Sequence, residues 1–155
     1  MNGSGAVTAV CAYGPNGLLS RWSYQEGPSY YTGPVYYMYD PSGNVAQYLY
    51  ASSGGYVNAD YDAYGLNYTD GYGNPVPPPF GQPFGYQAQW GARTDRETGL
   101  VLMGWRYYDP AAGRFLTRDP IGYEGGINLY AYCRNNPGEP HRPAGAVRGF
   151  RRIQA

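Results

Sequence analysis

The chain has 155 residues, about one domain by size, and its 11 arginines and 11 acids cancel to a formal net charge of zero, with no lysine. Balanced charge excludes the basic field that nucleic-acid binders rely on. Leu, Ile, Val and Phe supply only 23 residues while tyrosine supplies 20, so a core here is a tyrosine core whose hydroxyls need partners.

In chain order, the opening "MNGSGAVTAVCAYGPNG" lacks a basic region, and Tyr13, Gly14 and Pro15 break its apolar run. It reads as neither signal peptide nor membrane span. Short β-runs then alternate with turns: "AVTAVCAY" into "GPNG", "LLSRWSY", "VYYMY" into "DPSGN", "VAQYLY", "SSGG" into "YVNADYDAYG". In "DPSGN", Asp40 accepts backbone N–H groups, Pro41 presets φ and Gly43 supplies a positive φ. "DPAAG" (109–113) repeats the device after "LVLMGWRYY", read as one run. Residues 23–34 read as a loop. The Pro/Gly-dense stretch 67–86 reads as a connector or surface strap, because its prolines cannot donate to a ladder. The last ten residues carry no period and read as a frayed tail. Alternation is poor, since tyrosine is tolerated on either face, so strands are expected without a defined register.

Three Tyr-Asp dipeptides (Tyr39-Asp40, Tyr61-Asp62, Tyr108-Asp109) each precede or sit in a turn, and a hairpin repeated about every 20 residues marks a spiralling sheet. Cys11 and Cys133 show neither CxxC nor metal spacing, and His141 is the sole histidine. The thiols read as small buried residues, with pairing in an oxidising compartment as the other option. No metal or cofactor is expected. Trp22, Trp90 and Trp105 are expected in the core, the other reading being stacking on sugars.

The pieces "TDRETGL", "RYYDPAAGRF", "TRDPIG" and "GGINLYAY..NNP" between residues 84 and 137 stand in an order and spacing that closely resemble the RHS repeat-associated core, and "YDPSGN…YDAYG" resembles the YD repeats of the same family. Together the resemblance covers residues 35–145. It implies an all-β fold: antiparallel hairpins of a YD-repeat spiral sheet, a partial shell, with a short helix or turn-rich core plug near the C-terminus. The expected division is YD-repeat-like hairpins (1–66), Pro/Gly-rich connector (67–86), RHS repeat-associated core (87–145) and disordered tail (146–155). Full-length relatives are bacterial, secreted or cell-surface proteins that enclose a C-terminal toxin. The partners implied are other shell segments or a toxin cargo, with no nucleic acid and no membrane insertion. This chain is expected to be truncated, with no room for a toxin.

The family core also resembles an aspartyl self-cleaving peptidase, which needs two carboxylates sharing one proton. The resemblance puts one at Asp119, with Arg118 beside it, and the second at position 142, inside a closing D-P-x-G-L. Arg142 stands there instead, and Ala146 replaces the leucine. An arginine stays protonated and cannot act as a base. The expected function is therefore a toxin-shell fragment that cannot cleave itself. The alternatives are an active core pairing Asp119 with Glu139 or Glu124, or a carbohydrate-binding β module. Residues 138–146 are compatible with a single inserted base near Pro137, whose removal restores the reading P-V-N-R-I-D-P-L-G-L. Sequencing the coding DNA checks this: a one-base deletion there is expected to recover D-P-x-G, and failure of every one-base shift to do so rejects it.

Overall fold

The computed structural model describes residues 9–23, 33–66, 82–95 and 97–137. The first sheet is an antiparallel meander of five strands in sequence order, β1 (Ala9–Gly14), β2 (Gly17–Ser23), β3 (Gly33–Tyr39), β4 (Val45–Tyr50) and β5 (Tyr56–Asn58). A second four-stranded meander follows, β6 (Arg93–Thr94), β7 (Val101–Met103), β8 (Arg106–Asp109) and β9 (Arg114–Phe115). Among the described residues the only helical elements are 3-10 turns at Ala88–Trp90, Gly122–Gly125 and Cys133–Asn135. The all-β hairpin architecture expected from the sequence is the one observed.

Four of the turns are closed by the same device. The Asp40 carboxylate accepts the N–H groups of Ser42 and Asn44 at 2.8 and 2.9 Å. Asp62 repeats this with Tyr64 and Leu66 at 3.0 and 2.7 Å. Asp109 takes Ala111 and Ala112, and Asp95 takes Glu97. A glycine at positive φ completes each turn: Gly43, Gly65, Gly113 and Gly99. An aspartate that satisfies successive turn amides offers the backbone a ready alternative to the ladder, which is why the strands stop there.

The tyrosine core is also observed. Buried rings include Tyr37, Tyr48 and Tyr50 under the first sheet, and Tyr86, Tyr108 and Tyr132 beside the second. Three of their hydroxyls reach backbone carbonyls: Tyr48 to Phe84 at 2.7 Å, Tyr86 to Ala63 at 2.7 Å and Tyr108 to Tyr64 at 2.8 Å. The tyrosine of each Tyr-Asp pair ties its own hairpin to an earlier one. Tyr39 donates to the Leu18 carbonyl at 2.8 Å, Tyr61 meets the Tyr48 hydroxyl at 3.4 Å, and Tyr108 reaches Tyr64. Residues 82–92 join the two sheets: the Val45 amide donates to Gly85, Gln89 to Gly43 and Thr94 to Pro83.

Three details differ from the sequence reading, and a fourth expectation falls largely outside the described residues. The run 101–108 is two strands, because Gly104 (φ 61°) and Trp105 make a two-residue turn that pairs Met103 with Arg106. The expected connector lies outside the described residues as far as 81, and its last part is packed in the core, with Gln82, Phe84 and Tyr86 buried. The expected loop 23–34 falls largely outside them too. Finally, the tryptophans are not core residues: Trp22 and Trp90 are exposed, and Trp105 is 87% exposed at its hairpin tip. Tyrosines fill the interior, and the turn position of Trp105 leaves its ring nothing to pack against.

Burial pushes the phenols of Tyr37, Tyr39, Tyr61, Tyr108 and Tyr132 well above their ordinary value, and that of Tyr86 up to about 12. The folded chain therefore keeps protons that the unfolded chain releases above about pH 10. This contribution is fully present below that pH and is lost as pH climbs through about 12. Alkaline titration is expected to show a late, cooperative rise in tyrosinate absorbance coincident with loss of the far-ultraviolet β signal. Complete ionisation of the tyrosines with the sheet still intact would contradict a buried tyrosine core.

Candidate functional site

Strand β8 carries Arg106 and Tyr108 inward and Tyr107 outward. Arg106 is 5% exposed; its guanidinium carbon lies 3.6 Å from the centroid of the Phe115 ring. Such a buried cation needs a carboxylate, and it finds Asp119, with Nη1 to Oδ2 at 3.1 Å. Burial lowers the Arg106 pKa, and the charge of Asp119 opposes the shift. Arginine stays protonated in either case.

Asp119 is held by the turn chemistry of the Tyr-Asp hairpins. Its Oδ1 accepts the Ile121 N–H at 3.1 Å, and Gly122, at φ 65°, donates to its carbonyl at 3.0 Å. Its own amide donates to Leu129 at 2.8 Å, and Arg114 bridges Ala131, so the returning segment lies beside β9. That segment is anchored by Tyr132, stacked in the cluster of Tyr86, Tyr108 and Phe115, with its ring 4.3 Å from that of Tyr108. Immediately after it, Cys133, Arg134 and Asn135 all take positive φ (45°, 53° and 60°). A left-handed non-glycine residue costs roughly 1–3 kcal/mol. The bonds from the Asn135 amide to Tyr132 (2.8 Å) and from Asn136 to Cys133 (2.9 Å) hold the turn.

The structure therefore brings Asp119 together with Arg106 rather than with Arg118. Arg118 is exposed, and its Nε donates to the Tyr130 hydroxyl at 3.2 Å. Arg142 and Glu139 lie outside the described residues. Glu124 is exposed on the 3-10 turn after Asp119. Sequence reasoning missed Arg106. The available signal was its two-residue spacing from Tyr108, which puts an arginine on the inward face of a strand. Cys11 and Cys133 are free thiols. No cluster of three or more metal-ligating side chains occurs among the described residues, and no helix among them is long and apolar enough to cross a membrane.

Two antiparallel meanders closed by aspartate turns, cross-tied by tyrosine hydroxyls and followed by a turn-rich segment around a buried Arg–Asp pair, define a YD-repeat β-sheet with its associated core. No protein-family model matches the chain. The toxin subunit YenC1 of Yersinia entomophaga is 42% identical over 83 residues, covering 44% of this chain and 8% of that protein. The toxin protein Tse5 of Pseudomonas aeruginosa is 42% identical over 69 residues, 44% of this chain and 5% of its own length. The crystal structure of TcdB2-TccC3-TEV superposes with a TM-score of 0.66 at 24% identity, over 90% of this chain and 6% of that one, which shows the shared fold. Over the matched part the chain is similar to RHS-type toxin proteins, and the likeness supports an RHS repeat-associated core. It spans less than a tenth of the length of these relatives.

Arg106 and Arg118 are expected to separate sharply on substitution. Arg106→Ala leaves Asp119 without its ion-pair partner and is expected to cost about 3–5 kcal/mol. Arg118→Ala on the surface is expected to stay within about 0.5 kcal/mol. Urea denaturation of the two variants checks this, and equal losses would contradict the pairing.

Proposed function

We propose that the chain is a wall segment of a toxin-associated β-shell together with the core that closes it, and that this core does not cut its own backbone. The relatives, a toxin subunit and a toxin protein, support the first part. The observation that supports the second is the pairing of Asp119 with a guanidinium.

Peptide hydrolysis by aspartates takes a base that draws a proton from water and an acid that donates one to the carbonyl oxygen. Paired with Arg106 and accepting the Ile121 amide, Asp119 is an acceptor-only carboxylate and suits the role of base or charge anchor. The acid must be a second, protonated carboxyl. The described residues place no other carboxyl in an ion pair or hydrogen bond with Asp119, and the position that the family pattern reserves for it holds Arg142. Two arginines and one aspartate cannot share a proton in the required way. The shell role needs none of this chemistry: it needs paired strands and a packed core, which the described residues have. Its partners are then neighbouring shell segments or a toxin cargo.

Mass spectrometry of the purified chain tests the reading. A single intact species of 17.1 kDa is expected. A discrete product ending near Gly145 would overturn the silent reading. The double variant Arg142→Asp with Ala146→Leu is expected to cut itself, and adding Asp119→Asn to stop it. A folded double variant that stays whole would remove Asp119 from any catalytic role.

A further inference from the structure

Antiparallel sheets that face water on one side usually carry polar residues there. The first sheet does not. Cross-strand register places Cys11, Arg21, Val35 and Tyr50 on one face, above the core, with Tyr37 paired to Tyr48 beside them. The opposite face carries Val10, Trp22, Tyr36, Met38, Leu49 and Tyr56, through the pairs Val10–Trp22, Tyr36–Leu49 and Leu49–Tyr56. These six are between 37% and 63% exposed. Their same-face neighbours Ser20, Gln47 and Asn58 are uncharged, so no ionised side chain interrupts the patch.

We infer that this face is a self-association surface, occupied by the same face of a second copy of the chain. Each half-exposed ring leaves on the order of 100 Å² in water, so with the aliphatic side chains the face presents roughly 500 Å². Pairing two copies removes about 1,000 Å² in total, the lower bound of a specific interface. The expected dimer is therefore weak and concentration-dependent. A two-fold axis makes the contact self-complementary and closed, and two twisted sheets stack with strands within about 30° of each other. A charged or strongly polar partner would find nothing to pair with on this surface. Another uncharged apolar sheet matches it, and the chain supplies one. Zero formal net charge removes long-range repulsion between copies.

This inference is independent of whether the core cleaves. Sedimentation velocity of the full 155-residue chain over a concentration series tests it. A monomer–dimer equilibrium that saturates at two copies is expected. Tyr36→Lys and, separately, Met38→Glu each place an unpaired charge inside the apolar contact and are expected to weaken the dimer at least ~100-fold, as burial of an unpaired charge does. Far-ultraviolet circular dichroism checks that the sheet survives, and Tyr56→Lys on β5 replaces either variant that loses it. Trp105→Ser, on an exposed ring of the other sheet, is expected to leave the dimer unchanged. A monomer at every concentration, growth beyond two copies through strand edges, or association that Trp105→Ser abolishes and the face variants keep would each overturn the inference.

Discussion

A tyrosine ring can replace a leucine in a protein interior only if its hydroxyl finds a partner, since an unsatisfied buried hydroxyl forfeits about 1–3 kcal/mol. The rest of this structure follows from meeting that condition with backbone carbonyls. Tyr48, Tyr86 and Tyr108 aim their hydroxyls at Phe84, Ala63 and Tyr64, all in loops that aliphatic side chains could cover but not anchor. With so few aliphatic residues, the apolar burial and the placement of the loops come from the same side chains. Hydrophobic packing is non-directional. Here Tyr48, Tyr86 and Tyr108 each add a directional bond, so the core itself specifies where the connecting segments lie.

The second recurring element is the aspartate turn. Asp40, Asp62, Asp95, Asp109 and Asp119 all accept an N–H two residues ahead. Four of them end a hairpin strand or a Tyr-Asp unit. The fifth has acquired an additional partner in Arg106. Site and scaffold are thus made from one local motif, and the difference between a structural turn and the candidate site is a single buried arginine on a neighbouring strand.

Much of this was legible in the sequence because turn chemistry is local. The Asp-Pro-x-Gly turns, the paired strands around them and the reliance on tyrosine all follow from residues within four positions of each other. What was not legible depends on facing. Tyrosine suits either side of a sheet, so no alternation announced that both faces of the first sheet are apolar, or that "LVLMGWRYY" folds back at Gly104. The same limit hid the partner of Asp119. Arg118 is adjacent in sequence, yet it points away to Tyr130, whereas Arg106 arrives from another strand. The tryptophans misled for a related reason: bulk suggests burial, but Trp105 occupies a turn, where the backbone decides exposure.

The double duty of Asp119 bears on how such chains change over generations. Its carboxylate caps a turn and neutralises a buried cation, and both roles persist whether or not any bond is ever cut. Selection for folding alone is enough to keep it. An intact Asp-Pro-Ile-Gly is accounted for by folding alone. The presence of Asp119 is a mark of structural need and is by itself silent on chemistry.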